Sequence, residues 1–185
     1  MSFKQDIEDR SAAHIIRWHA RPTQQVQNLA EHHFFVARMC MTIVRALRQY
    51  EITNPDLELV LETALIHDEV EKRTGDVPGS TKRRYPEFRK MVEKLEDELV
   101  QEIWDHIPGG VGQYYADLVE TFNQQKTIES QIVKYADKLD AYLFSRTEVA
   151  MGNSLMSPVL QEIEKELEKL DWPWLKDLRR ETELP

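Results

Sequence analysis

The sequence predicts an all-α protein, built as a bundle of about six to eight helices. Apolar residues recur with helical periodicity along most of the 185 residues, and no strand-like alternation persists anywhere. Only six glycines and eight prolines interrupt these patterns. Because 41% of the residues are hydrophobic, the chain can bury one sizeable core, and we expect a single domain over residues 1–185.

Three helices are predicted in the first part of the chain. The first covers about residues 5–18 and ends before Pro22, since the residue before a proline disfavours helical geometry. The second covers about residues 29–50 and is apolar almost all round, which is typical of a central buried helix. The third starts at Pro55 behind the capping residue Asn54 and runs to about residue 71.

Turn residues separate the remaining helices. Residues 73–80 contain two glycines and a proline among polar residues, so we expect a loop there. Further helices are predicted at about residues 86–106, 111–123, 127–151 and 158–170, the first two separated by the turn at 108–110. The chain then passes through Trp172 and Trp174 into what reads as a short acidic tail.

Charge and cysteine content limit the partners and the compartment. The 24 Lys and Arg face 33 Asp and Glu, a net charge of −9, which argues against a nucleic-acid polymer or an anionic membrane as partner. A small anionic substrate remains compatible, because a cation can reverse the potential inside a pocket. No apolar stretch could span a bilayer, no signal peptide is visible, and Cys40 is the single cysteine. We therefore expect a soluble, cytoplasmic protein.

Four residues on three separate predicted helices form a candidate metal site. His67 and Asp68 close an apolar helical run, His32 lies in register with the inward positions of the second helix, and Asp137 lies on the apolar stripe of the sixth. Two imidazoles and two carboxylates can hold one divalent metal and leave positions open for water and substrate, as a metal hydrolase requires. Glu71 follows His67 by four residues and shares its face if the helix continues.

Each of these residues also has an ordinary structural explanation. His32 could be a hydrogen-bonded core residue, and Asp137 could pair with Lys134 or Lys138 to offset the desolvation of its carboxylate. Taken alone, Glu71 would be an ordinary surface carboxylate. The joint pattern favours the metal site, because three separated helices each supply a ligand type that suits the same ion.

Ordered motifs give the chain a family resemblance. The chain resembles the HD-domain metal phosphohydrolases, and within them the bacterial 5′-deoxynucleotidases and related phage deoxynucleoside triphosphohydrolases, which implies an orthogonal helical bundle. The matching segments span about residues 17–144. They are Arg17-Trp18, Asn28-Leu29-Ala30-Glu31-His32, Ala64-Leu65-Ile66-His67-Asp68 through Glu71, Thr74-Gly75-Asp76-Val77-Pro78, and Ile132-Val133-Lys134-Tyr135-Ala136-Asp137.

The resemblance implies a role for each matching residue. The metal ligands would be His32, His67, Asp68 and Asp137, with the neighbouring His33 structural. Asp68 and Glu71 would be catalytic, Glu71 by orienting and deprotonating the attacking water. Arg17 would contact the phosphate, Trp18 would leave little room beside the sugar C2′, and Asp76 would bind the 3′-hydroxyl. Only His106 lies between the His-Asp pair and Asp137, so one metal is expected: Zn, Mn or Co, with Fe and Ni as further candidates.

The expected reaction is the hydrolysis of a deoxynucleoside monophosphate to a nucleoside and phosphate. The basic stretch at 81–84 could clamp a polyphosphate tail through Lys82 and Arg83, which would favour a deoxynucleoside triphosphohydrolase, or it could be an ordinary solvated loop. No segment is specific to a phosphodiesterase or a guanosine tetraphosphate hydrolase. A non-catalytic helical interaction module is the alternative from another class.

The expected partners are a small deoxynucleotide and further copies of the chain. Relatives in the resembled family are dimers or larger assemblies, and apolar residues near the C-terminus could cover an apolar surface or form an interface between subunits. These residues are Met151, Met156, Trp172 and Trp174. A homodimer or higher homo-oligomer is therefore expected.

Overall fold

The protein, described here over residues 10–185 of a computed structural model, is a helical bundle. A 3₁₀ turn (Arg10–His14) and two short strands, β1 (Ile16–Arg17) and β2 (Gln27–Asn28), precede the first long helix. The helices that follow are α1 (Leu29–Gln49), α2 (Leu57–Ile66), α3 (Glu71–Thr74), α4 (Gly79–Arg84), α5 (Pro86–Ile103), α6 (Val111–Gln124), α7 (Ile128–Ala150), α8 (Ser157–Glu168) and α9 (Pro173–Glu181). The all-α prediction is confirmed.

The main core lies between α1, α2 and α7, and α8 packs on the far side of α7. Val44 of α1, Val60 of α2 and Ala136 of α7 are fully buried there. A second cluster forms where α5 and α6 meet, around Val100 and Val119. This arrangement brings the start of α1, the end of α2 and the middle of α7 into contact. Within the described part of the chain, no helix combines the length and apolar character needed to cross a membrane.

Side-chain caps determine where the two longest helices begin. Asn28 accepts a hydrogen bond from the Glu31 amide, and the Glu31 carboxylate accepts one from the Asn28 amide, which is a complete capping box for α1. Thr127 and Ser130 make the same reciprocal arrangement at α7. Helix α2 starts two residues later than predicted, because Asp56 rather than Asn54 accepts the first backbone amides.

The prediction of a helix over residues 5–18 is wrong in its described part. Residues 5–9 lie outside the described residues, the next five form a 3₁₀ turn, and β1 then pairs antiparallel with β2. Ile16 lies opposite Asn28, and Arg17 lies opposite Gln27. This pairing satisfies backbone groups that a two-residue strand cannot satisfy alone, and it joins Arg17 to the start of α1.

Three further predictions needed correction. Helix α2 ends at Ile66, and the chain continues through turns into the separate helix α3. The predicted loop at 73–80 is only partly a loop, since α3 runs to Thr74 and α4 begins at Gly79, and the basic stretch at 81–84 lies on α4. The supposed acidic tail is the helix α9, whose Trp174, Leu175 and Leu178 are buried in the main core.

The composition of α1 predicts a helix that is buried on all sides, but one side of this helix is exposed. Phe34, Phe35 and Met41 are 59%, 46% and 45% exposed, whereas the opposite side of the helix is fully buried. The helix therefore forms one wall of the core, and three large apolar side chains face away from that core.

Candidate metal centre and active site

Residues from three long helices meet at one buried point. His32 lies one turn inside α1, His67 and Asp68 follow the last residue of α2, and Asp137 lies in the middle of α7. One donor atom from each of the four lies within 4.8 Å of the others. The structure thus brings together all four residues that the sequence predicts as metal ligands.

The distances describe a compact donor set. His32 Nε2 lies 3.5 Å from Asp137 Oδ1 and 3.6 Å from Asp68 Oδ2, and His67 Nε2 lies 3.4 Å from the same Asp68 oxygen. Asp137 uses its other oxygen, Oδ2, to accept a hydrogen bond from Lys134 at 2.8 Å. Asp137 therefore makes both kinds of contact. One of its oxygens pairs with Lys134, as the structural explanation predicts, and the other lies among the clustered donor atoms.

The buried nitrogen atoms test whether these residues fit a metal. His67 donates from Nδ1 to the Ala64 carbonyl at 2.9 Å, and Nδ1 of His32 is bonded to Asp140 at 2.7 Å. The remaining Nε2 atoms are buried and have no hydrogen-bond partner. Unpartnered buried polar atoms are rare in folded proteins. Imidazole nitrogens and carboxylates converging in this way suit a divalent transition metal, so the donor set fits the ion that the family resemblance implies.

The carboxylates of the site differ in proton affinity. Burial alone would raise the pKa of Asp68 and Asp137, but His67 beside Asp68 and Lys134 beside Asp137 hold both pKa values below the ordinary range. The pKa of Glu71 is raised well above its ordinary value, first by burial and then by the nearby charge of Asp68. Glu71 is thus the carboxyl group of this centre most suited to accepting a proton.

Positive charge balances this acidic centre. Burial and then the charge of Arg17 lower the pKa of His32, yet the neighbouring carboxylates of Asp137, Asp140 and Asp68 outweigh them and raise the pKa to about 10. Burial likewise disfavours charge on Arg17, but four surrounding carboxylates, Asp68 first, raise its pKa. Arg17 Nη1 lies 3.4 Å from Asp68 and 3.9 Å from Glu71, so its cation lies where a substrate anion would need it.

A cavity opens beside this centre. Asp137 of the donor set lines this cavity, and so do three residues predicted to bind the substrate, Arg17, Trp18 and Asp76. Ala141 of α7 and residues of α8 also line the cavity. The remaining lining residues are Ala20, Arg21, Pro78, Gly79, Ser80, Arg83, Lys138, Val159, Glu162, Ile163 and Glu166.

The backbone of Trp18 is held in an unusual conformation. Its φ of 61° lies in the left-handed region, which a bulky residue seldom adopts. Its amide donates to Asp76 Oδ2 at 3.3 Å, and its ring stacks on Phe144 with centroids 5.2 Å apart and planes 3° apart. The indole therefore presents a fixed flat wall, and backbone strain of this kind often marks a functional position.

The two basic residues predicted to clamp a polyphosphate are engaged elsewhere. Lys82 donates to Glu96 of α5 at 2.8 Å and does not line the cavity. Arg83 does line it, but its guanidinium is paired with Glu162 at 2.7 Å and Glu166 at 3.0 Å. Substrate binding by Lys82 and Arg83 stays a prediction.

Sequence reasoning missed three residues around the site. Asp140 follows Asp137 by one turn, a spacing that would have indicated a second inward carboxylate on α7. Phe144 fits the apolar stripe of that helix, so nothing in the sequence distinguishes it from an ordinary core residue. Gln27 carries no signal of its own, because its position depends on the pairing of β1 with β2.

The geometry can be compared with known proteins. The family model described as 5′-deoxynucleotidase YfbR-like matches residues 10–181. A 5′-deoxynucleotidase of Vibrio vulnificus is 30% identical over 139 residues, which cover 75% of this chain and 71% of that protein.

Solved structures share the fold at lower identity. An HD-domain phosphohydrolase from Listeria innocua superimposes with a TM-score of 0.75 at 20% identity, covering 95% of this chain and 88% of the other. The cyanophage S-2L HD phosphohydrolase DatZ, bound to dA and one catalytic Zn²⁺ ion, has a TM-score of 0.65 at 23% identity and covers 99% and 95%. Both show that this helical fold is the HD-domain fold.

Proposed function

Because the chain belongs to the YfbR-like 5′-deoxynucleotidase family, we propose that it hydrolyses deoxynucleoside 5′-monophosphates to deoxynucleosides and inorganic phosphate. The observation that carries the proposal is the shared cavity, in which Arg17, Trp18 and Asp76 lie beside Asp137 of the four-residue donor set. A phosphate, a sugar and a metal would thus meet at one place.

One divalent transition metal, held by His32, His67, Asp68 and Asp137, completes the proposed enzyme. Zn, Co and Mn suit mixed imidazole and carboxylate ligands best, and Fe and Ni are further candidates. When bound, such an ion would neutralise phosphoryl charge and lower the pKa of a water molecule towards neutrality.

Two side chains around the donor set have separate roles in the reaction. Arg17 binds the phosphoryl oxygens and offsets the charge that develops on them. Glu71 accepts the proton of the attacking water, which its raised pKa favours. Water forms the new bond to phosphorus, the bond from phosphorus to the 5′-oxygen breaks, and the leaving 5′-oxygen takes up a proton to become the nucleoside hydroxyl.

The sugar is recognised by Trp18 and Asp76, which line the cavity. The Trp18 ring, held by stacking on Phe144, restricts the space beside the sugar C2′, which favours deoxyribose, and Asp76 offers a carboxylate to the 3′-hydroxyl. Because Asp76 also holds the Trp18 amide, the two sugar contacts are positioned together.

The charges at the cavity mouth favour a monophosphate over a triphosphate. Arg83 is paired with Glu162 and Glu166, and Lys138 is paired with Glu166 at 2.5 Å. These two cations are therefore already neutralised, and the added negative charge of a triphosphate would meet carboxylates.

A homo-oligomer is also proposed. The exposed apolar side chains Phe34, Phe35 and Met41 on α1 support it, because large apolar groups on the surface of a helix often lie in subunit interfaces.

The substrate is tested by incubating the protein with dAMP or dATP, each with Mn²⁺ or Co²⁺, with EDTA as control, and separating the products by ion exchange. We expect phosphate from dAMP, no tripolyphosphate from dATP and no product with EDTA. Glu71→Gln should lower kcat at least about 100-fold while the bound metal stays stoichiometric, because only proton acceptance is lost. The matched surface variant Glu168→Gln should react as the wild type does.

Tripolyphosphate from dATP would replace this proposal with a triphosphohydrolase. A protein that purifies without a stoichiometric metal and cleaves neither substrate would instead be a helical interaction module.

A further inference from the structure

A buried hydrogen-bond chain connects the cavity wall with the metal centre. The Trp18 indole donates from Nε1 to Gln27 Oε1 at 3.1 Å, and Gln27 donates from Nε2 to Asp140 Oδ2 at 2.8 Å. The same Asp140 oxygen is bonded to His32 Nδ1 at 2.7 Å. Gln27, Asp140 and His32 are 6%, 5% and 0% exposed, so water competes little for these bonds.

The chemistry of the groups fixes the direction of each bond in this chain. An indole N–H can only donate and a carboxylate oxygen only accepts, so the Gln27 amide has one orientation that satisfies both neighbours. An accepting oxygen at His32 Nδ1 places the hydrogen on that nitrogen. The other nitrogen, Nε2, is thereby directed towards Asp68 and Asp137.

We propose that Asp140 is a positioning residue that holds His32 in the tautomer and orientation needed to bind the metal, and that Gln27 extends this control to Trp18. Metal affinity and sugar selection are then coupled through one hydrogen-bond chain. The sugar part of this inference rests on the proposed function, whereas the metal part does not.

The position of Asp140 on α7 supports this role. Asp137 and Asp140 lie one turn apart on the same helix, so α7 supplies one candidate ligand directly and orients a second, His32, which belongs to α1. Helix α7 therefore fixes the orientation of the His32 imidazole relative to Asp137. A buried pair of Asp140 and His32 that only stabilised the fold would not need this alignment.

Metal titration of the metal-free protein tests the role of Asp140. Calorimetry with Co²⁺ should show affinity about 10–100-fold weaker for Asp140→Ala than for the wild type, because its accepting oxygen is lost. Asp140→Asn should stay within about threefold of the wild type, since its amide oxygen can accept both hydrogen bonds. The Co²⁺ absorption spectrum should change in Asp140→Ala and not in Asp140→Asn.

Two results would overturn this role: wild-type affinity in Asp140→Ala, or equal losses in both variants, which would assign the effect to charge. Thermal unfolding of each variant controls for folding. Should Asp140→Ala not fold, Asp140→Glu keeps the charge but displaces the oxygen by one methylene, and the same loss is expected.

The Gln27→Met variant tests the coupling to Trp18. It leaves Asp140 with His32 but removes the bond to the indole, so the preference for dAMP over AMP in kcat/KM should fall at least about fivefold. Co²⁺ affinity should fall less than in Asp140→Ala. An unchanged preference would overturn the coupling. Absence of dAMP turnover in the wild type would overturn the proposed function alone, because the Co²⁺ titration needs no substrate.

Discussion

Two adjacent histidines show how much the surroundings of a residue decide its chemistry. His32 contacts carboxylates, and its pKa is raised to about 10. His33 is also buried, but burial and the neighbouring His67 lower its pKa to about 3. Consecutive residues on a helix point about 100° apart, so the two rings face different neighbours. The helical register of His32 made it a ligand candidate, and the family resemblance favoured it over His33, which lies in the same apolar run.

His33 should make the stability of the protein depend on pH. Its folded pKa of about 3 lies below the ordinary 6.5, so the unfolded chain binds one more proton between these values. Stability contributed by neutral His33 is therefore present above pH 6.5 and lost as the pH falls towards 3, by at most about 1.4 kcal/mol per pH unit. In His33→Gln, the free energy of unfolding measured by urea denaturation between pH 7 and pH 4 should fall less steeply. Equal slopes in the two proteins would contradict the assignment.

At the scale of elements, signals from neighbouring residues predict where helices begin, but no such signal predicts the pairing of the two short strands. Helices α1 and α7 begin within a residue or two of their predicted starts, because their caps are encoded by neighbouring residues. Strands β1 and β2 are two residues long and have no periodicity, so their own residues do not indicate that they pair. Helix α2 ends early because His67 donates to the Ala64 carbonyl instead of extending the helix, which its sequence does not indicate.

The capping box of α1 should contribute measurably to stability. Asn28→Ala removes the acceptor for the Glu31 amide, and we expect the free energy of unfolding to fall by about 1 kcal/mol in urea denaturation. Asn28→Asp keeps an accepting oxygen. Its free energy of unfolding should fall by no more than a few tenths of about 1 kcal/mol, because Asn and Asp cap helices almost equally well. A loss in Asn28→Asp as large as in Asn28→Ala would show that the cap is not the cause.

At the scale of the whole molecule, α9 completes the core. Its Trp174, Leu175 and Leu178 join the cluster formed by α1, α2 and α7. The charged residues between them made this segment read as a tail, although the spacing of the three apolar residues fits one helical face and Pro173 suits a first turn. The clustering of the four candidate donors was predictable because the ordered set of motifs is distinctive, although the His-Asp pair alone is not. Asp140 and Gln27 were not predicted, since their roles exist only once β2, α1 and α7 have assembled.

Truncating a core residue of α9 should destabilise the entire protein. Leu178 is fully buried, and Leu178→Ala should lower the free energy of unfolding by about 2–5 kcal/mol through lost contacts and a residual cavity. Leu155→Ala is the matched control, because Leu155 is 63% exposed, and it should change stability by less than about 0.5 kcal/mol. Chemical denaturation measures both. Similar small losses in the two variants would mean that α9 packs only loosely on the core.

The pairing of β1 with β2 also constrains how this chain can vary. Side chains alternate across a strand, so a slip of one residue would turn Arg17 away from Asp68 and bring Ile16 or Trp18 towards it. Residues inserted between the strands would lengthen the rim of the cavity, where Ala20 and Arg21 lie, without changing that phase. The pairing of the two strands therefore fixes which side chain faces Asp68, whereas the loop between the strands can change in length without changing that side chain.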